Sequence, residues 1–219
     1  MDVDHPLKLR TEFIRRYYAT AVVPFETIKS QIENGDPPYE PPYSEDGEPP
    51  FLEEWLDADT SLQIVGRACI SMLSESLKMY LQTWERLFGV ECQRALPAFF
   101  KKGFWPGYKE CFGQLVPLDW SACPADLSVI EQIVVARNTS QHHTGDIGTL
   151  TIRHPPNLRE KFERPIFIHE HEKGWSEEDR VDLAWFGSEL VITKETLDEA
   201  VGQAEFLVEW LEPQLQERR

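Results

Sequence analysis

The chain reads as a mainly α-helical domain, a four-to-five-helix bundle interrupted by an irregular aromatic insertion, with room for a small appended β-hairpin. Three observations predict this. Apolar residues recur at three- and four-residue spacing over several long stretches, the period of a helix with one buried face. Gly and Pro punctuate those stretches at a few points only. Just three short runs alternate as half-buried strands do. At 219 residues, 41% hydrophobic and 11% aromatic, the chain suffices for one core, and it is read as a single domain over 1–219.

The first periodic segment runs from Leu7 to Ile32 through Leu9, Phe13, Tyr17, Ala21, Phe25 and Ile28. Pro24 inside it should kink or divide the helix. Asn34-Gly35-Asp36-Pro37-Pro38 ends it, and residues 34–50 form a Pro-rich acidic loop. A second long helix is expected from Thr60 or Ser61 to Phe88, capped by Asp59, Thr60 or Ser61 and stopped by Gly89. A short helix, Phe51 to Leu56, leads into it. Residues 90–123 are the aromatic insertion, with a helical turn around Cys92 to Phe100. A third helix runs from Pro124 to His142, with Pro124 at its first position and Asp126 at the positive end of its dipole. An excursion at 146–193 holds the strand-like runs Thr149 to Arg153, Pro165 to His169 and Glu189 to Thr193. The last helix follows Thr193 and should fade near Pro213.

The net charge of -16 argues against a surface that binds nucleic acid everywhere. The charge is uneven, however. Gln31 to Thr60 holds many acids and no Lys or Arg, whereas Arg86, Arg94, Lys101, Lys102 and Lys109 cluster. A local basic groove is one reading of that cluster, and solvated helix faces are the other. No apolar run reaches the roughly 20 residues of a membrane span, and the N-terminus lacks a signal-peptide pattern. Cys69, Cys92, Cys111 and Cys123 form no C-x-x-C pair, so reduced thiols in a cytoplasmic protein are expected, with no metal and no cofactor.

The most telling stretch is Arg137-Asn138-Thr139-Ser140-Gln141-His142-His143-Thr144-Gly145, directly after the apolar run Leu127 to Ala136. A guanidinium grips phosphate through two parallel hydrogen bonds, and an imidazole moves protons near neutral pH. Those two groups suffice to cleave RNA without a metal. Asn138 and His142 are four apart and share a helix face, so the amide could hold the imidazole in one tautomer. Arg137 lies about 140° from His142 by helical counting, so a cleft between two subunits would focus both groups more easily than one helix wall. The structural alternative is that Arg137 and His142 only close the helix C-terminus, where cations are favoured.

With Arg137, Asn138, His142, the apolar helix before them and the glycine after them, the chain resembles the HEPN superfamily, helical bundles that are often RNases. The pattern Leu190-Val191-Ile192-Thr193 with Leu197 agrees loosely with the closing helix of such a bundle. The resemblance implies a two-fold homodimer that brings two copies of the motif together. It implies a toxin, stress or defence endoribonuclease acting on RNA, with an antitoxin or regulatory protein as a further partner, and with neither DNA nor membrane as a target. In the implied mechanism His142, or the partner subunit's His142, takes the proton of a ribose 2′-hydroxyl. Arg137 stabilises the charge on the phosphate, Asn138 orients, and the second His protonates the leaving 5′-oxygen. His143, Lys101 and Lys102 are the expected substrate contacts. One toxin branch carries a Tyr two residues past the motif His; Thr144 stands there in this chain, so control by modification of that tyrosine is not expected.

Other readings remain open beside this one. The bundle could be a non-catalytic protein-interaction or sensing module, favoured by the acidic surface and the Pro-rich loop. It could be a small-molecule enzyme with a pocket at Trp105, Tyr108 or Trp120. His169-Glu170-His171 would put two imidazoles on one side of a strand, which binds zinc or copper only with a third ligand. Glu75, in an apolar stretch, faces either Arg137 or water.

Overall fold

The computed structural model describes residues 2–41, 49–115, 118–142, 151–174 and 187–219. The first segment forms two helices, α1 (Asp4–Ala21) and α2 (Val23–Asn34), separated at Val22 because Pro24 cannot donate within a continuous helix. Gly35, at φ 68°, ends α2 in the left-handed conformation. α1 buries Leu7, Thr11, Ile14 and Tyr18. The row Leu9, Phe13 and Tyr17, which carries the period in the sequence, faces outward instead, with Leu9 and Phe13 about half exposed at 52% and 51%.

The expected lead-in helix and second long helix are one rod, α3 (Leu52–Phe88). Nothing in Asp57-Ala58-Asp59-Thr60 breaks a helix, and Ala58 is buried. Asp59 does not cap; it pairs with Lys29 of α2, and Trp55 Nε1 donates to Glu33 of α2 at 2.9 Å. At the other end the insertion is more helical than its composition suggests. It forms α4 (Cys92–Ala95), α5 (Pro97–Phe100) and α6 (Phe104–Leu115), followed by a 3-10 turn at Trp120–Ala122. Pro106, Gly107 and Gly113 mask the helical spacing of Trp105, Tyr108 and Phe112, all of which are buried. The cysteine expectation fails here. α4 and α6 bring Cys92 and Cys111 to a Cα separation of 5.7 Å, joined as a disulfide, while Cys69 and Cys123 stay free.

The third core helix is α7 (Leu127–His142), three residues shorter at its start than expected, because Asp126 rather than Pro124 sets the boundary. The Asp126 carboxylate accepts from the Ser128 and Val129 amides at 2.9 and 3.4 Å. The excursion contributes α8 (Leu158–Lys161) and α9 (Glu170–Lys173). The closing helix α10 (Lys194–Gln216) starts where expected, with Thr193 and Thr196 in a reciprocal cap. It continues through Pro213 to its buried Leu215. The core is α1, α3, α7 and α10 packed together, with α2 against α3, and α6 against α7 and α3.

The appended hairpin does not form among the described residues, where a single antiparallel bridge, Arg153 with Glu189, is the extent of β pairing. Thr149 and Leu150 of the first run lie outside the described residues; the rest of the runs share scattered backbone bonds, Leu190 amide to Ile152 carbonyl at 2.8 Å and Val191 amide to Phe167 carbonyl at 3.2 Å, while side chains take other backbone groups. The amide of Ile166 donates to Gln132 Oε1 at 2.8 Å, and Gln132 Nε2 donates to the Arg164 carbonyl at 3.0 Å. The Ile192 amide donates to Gln63 Oε1 at 3.1 Å. His154 Nε2 donates to the Phe167 carbonyl at 2.9 Å, and buried Nδ1 has no partner among the described residues. Two glycines permit this packing. A Cβ on Gly66 would lie 2.8 Å from Ile192 Cβ, and one on Gly187 would lie 2.1 Å from the His154 carbonyl oxygen.

Glu212 of α10 is buried. Its carboxylate accepts from the Val3 amide (3.0 Å), Tyr80 Oη (2.8 Å), Trp84 Nε1 (3.0 Å) and Gln216 Nε2 (2.9 Å). Burial, and then the Glu212 charge, push the Tyr80 hydroxyl far above its ordinary value, so it stays a donor.

Three measurements check this architecture. Glu212→Ala strands the three buried donors of its four, the Val3 amide, Tyr80 and Trp84, and should cost at least about 3 kcal/mol in urea unfolding. Cys111→Ser should cost about 3 kcal/mol, the stabilisation expected from closing a loop of this length. Burial holds His154 below its ordinary value of 6.5, so its stabilising contribution is complete above that pH and is lost as the pH falls through it. Unfolding midpoints at pH 7 and pH 5.5 should therefore differ more for the parent than for His154→Gln. The excess approaches about 1.4 kcal/mol per pH unit below the ordinary value.

Candidate functional site

The segment that carries the motif is held on every side before the motif begins. Val129, Ile130, Ile133, Val134 and Ala136 of α7 are buried in the core, and the Asp126 amide donates to Gln203 Oε1 of α10 at 2.7 Å. Arg137 and Asn138 follow on the last turn and a half, both half-buried. Arg137 Nη1 donates to Asn138 Oδ1 at 3.0 Å. That contact differs from the expected one, in which the amide holds the imidazole. Asn138 orients the guanidinium instead. Among the described residues no carboxylate pairs with Arg137, and Glu75 is exposed and makes no ion pair with it.

His142 is the last residue of α7, exposed and without a hydrogen-bond partner among the described residues. α7 stays helical to that residue, so Arg137 and His142 leave it about 140° apart and about 7.5 Å along the axis. One protomer does not bring the two side chains together. His143, Thr144 and Gly145 lie outside the described residues.

Lys101 and Lys102 stand exposed in the turn after α5. They separate in role. Lys102 lines a cleft of about 1020 Å³ between α6, the Trp120 turn, the start of α7 and the end of α8; Lys101 does not. Trp105, Lys109, Glu110, Trp120 and Phe162 also line it. Tyr108 does not reach it: the phenol is buried and donates to Glu85 Oε2 at 2.6 Å. The last lining residue on α7, Glu131, precedes Arg137 by about 9 Å and His142 by about 16 Å of helix axis. The motif and this cleft are two places on one helix.

Comparison with family models, with curated proteins and with solved structures finds no match. The geometry alone therefore carries the reading of the site.

Two groupings resemble metal sites. Carboxylate oxygens of Asp2, Asp4 and Glu212 lie within 4.8 Å of one another. The Glu212 oxygens are already filled by four donors, so this cluster is the latch of the N-terminus. His169 and His171 stack at 5.0 Å between ring centroids, but they sit at the start of α9 rather than on a strand. His169 Nε2 is 3.4 Å from Glu189 Oε2, and no third ligand completes the pair among the described residues.

The sequence reading missed the contribution of the excursion to the cleft. Lys161 and Phe162 come from α8, some thirty residues beyond Glu131, and meet it through a 2.7 Å ion pair between Lys161 and Glu131. The single available signal was opposite charge, which does not select one partner among many.

Proposed function

We propose that the chain is a metal-independent endoribonuclease of HEPN type that works as a two-fold homodimer. The observation that carries the reading is Arg137: a half-buried cation near the end of a core helix that donates to a neutral amide, Asn138. A permanently charged, oriented guanidinium that no carboxylate pairs among the described residues suits the developing charge of a phosphate in transfer. The exposed imidazole of His142 supplies the proton chemistry. Because the two side chains diverge on one protomer, the reactive pair is Arg137 of one subunit with His142 of the other.

One imidazole takes the proton from the 2′-hydroxyl, the freed oxygen bonds to phosphorus, and the bond to the 5′-oxygen breaks. The second imidazole, protonated, gives its proton to that leaving oxygen. The products are a 2′,3′-cyclic phosphate and a 5′-hydroxyl. Toxin or defence activity, with an antitoxin or regulator, is the setting that goes with such an enzyme.

A second reading, a non-catalytic interaction module, is favoured by the exposed row Leu9, Phe13 and Tyr17, in which Phe13 and Tyr17 stack at 6.0 Å. It requires that no RNA be cut under any condition.

Purified protein should cut single-stranded RNA and leave cyclic phosphate ends. Arg137→Ala and His142→Ala should each lose at least about a hundredfold in rate with an unchanged melting curve. A mixture of the two variants should stay impaired, since every mixed dimer lacks one of the two imidazoles that the step uses. Parental rates in both variants, or intact RNA with the parent, would reject the proposal.

A further inference from the structure

The cleft beside α6 is a second chemical environment, and the motif does not use it. Its wall is aromatic. Trp120, half-buried, packs against Trp105 with ring centroids 5.7 Å apart and against Trp210 at 5.4 Å. Phe162 closes the α8 side, with Lys161 Nζ 5.1 Å from its ring centroid. The disulfide between Cys92 and Cys111 ties α4 to α6, so the helix forming this wall is pre-set rather than assembled on demand.

Charge distinguishes the cleft from the rest of the surface. Three lysines line it against two glutamates, on a chain whose net charge is -16. Glu131 is neutralised by Lys161, and Glu110 accepts from Gln114 Nε2 at 2.8 Å. Lys102 and Lys109 have no ion pair among the described residues. Two ammonium groups against the one carboxylate of Glu110 leave the cleft net positive beside an indole wall, which matches a ligand that is anionic at one end and flat and apolar at the other. Glu110 and Gln114 at the rim offer acceptors for hydroxyl groups or an exocyclic amine. A nucleoside phosphate has all three parts, and stacking on an aromatic side chain contributes about 1–3 kcal/mol per base.

We propose that this cleft binds a nucleoside phosphate, its base against the partly exposed indole of Trp120, which Trp105 backs from the core, and its phosphate on Lys102 and Lys109. The site stands whether or not Arg137 and His142 cut RNA. The ligand is a free nucleotide or one unit of a single strand, and the two are separable by probe.

The test uses the full chain with ATP in one arm and a ten-nucleotide 2′-O-methyl oligoadenylate in the other. The oligonucleotide cannot be cut through its 2′-oxygen, so binding is read apart from cleavage. Calorimetry and tryptophan quenching report on both probes. The double variant Lys102→Glu/Lys109→Glu should bind at least about tenfold more weakly, as loss of two charge-assisted contacts requires. The double variant Lys173→Glu/Lys194→Glu makes the same change in net charge outside the cleft and should bind as the parent does. ATP binding without the oligonucleotide assigns a free nucleotide; oligonucleotide binding without ATP assigns a strand. Equal weakening in both double variants, or no binding of either probe at millimolar concentration, overturns the proposal. Thermal melting of each variant confirms that the fold survives the substitutions.

Discussion

A carboxylate shut away from water holds the bundle in register. Glu212 sits on the last helix, yet its four donors come from the N-terminal segment, from two turns of α3 and from its own helix. A buried anion is tolerable only when its oxygens are filled. That requirement fixes where α1 begins relative to α10 and how far along α3 both of them pack. Hydrophobic contact would allow the helices to slide by a turn; the phenol of Tyr80 and the indole of Trp84 meet Glu212 at one offset. The placement of α7, and so of Arg137 and His142, depends on this frame.

The helices were legible wherever the apolar period was long and its stops were strong. α10 began at the expected Thr193, and Gly35 and Gly89 ended α2 and α3 as expected. Legibility failed where two residues compete for the same role. In α1 an exposed row with Phe13 and Tyr17 is as periodic as the buried row with Ile14 and Tyr18, and hydrophobicity alone does not choose between them. The strand-like runs failed for a different reason. Alternation shows that a segment is extended and half-buried; it does not show that another strand will satisfy its amides. Here Gln132 and Gln63 accept from the Ile166 and Ile192 amides while His154 donates to the Phe167 carbonyl, and a lone glutamine in a helix has no signature in one sequence.

The candidate site divides in the same way. The placement of Arg137, Asn138 and His142 at the end of a helix was legible because one local stretch carries all three. The contact between Arg137 and Asn138, adjacent residues, was not, because helical counting assigns neighbours at three and four positions and ignores the reach of a long side chain. The cleft was legible only in part: Trp105 and Trp120 stand where a pocket was expected, but its other walls, drawn from residues 99 to 162, meet only after α6 and α8 dock on α7. The cysteines show the same limit, since Cys92 and Cys111 become neighbours through a helical insertion that glycine and proline conceal.

Gly66 has a consequence for how this protein can change over generations. It is packed in the middle of α3, where even the smallest side chain would collide with Ile192. The collision is with the Cβ and the carbonyl oxygen of Ile192, so trimming that side chain makes no room: site 66 can grow only if the whole stretch after Gly187 lifts off the rod. Glycine is therefore locked in at this point for as long as that stretch stays docked.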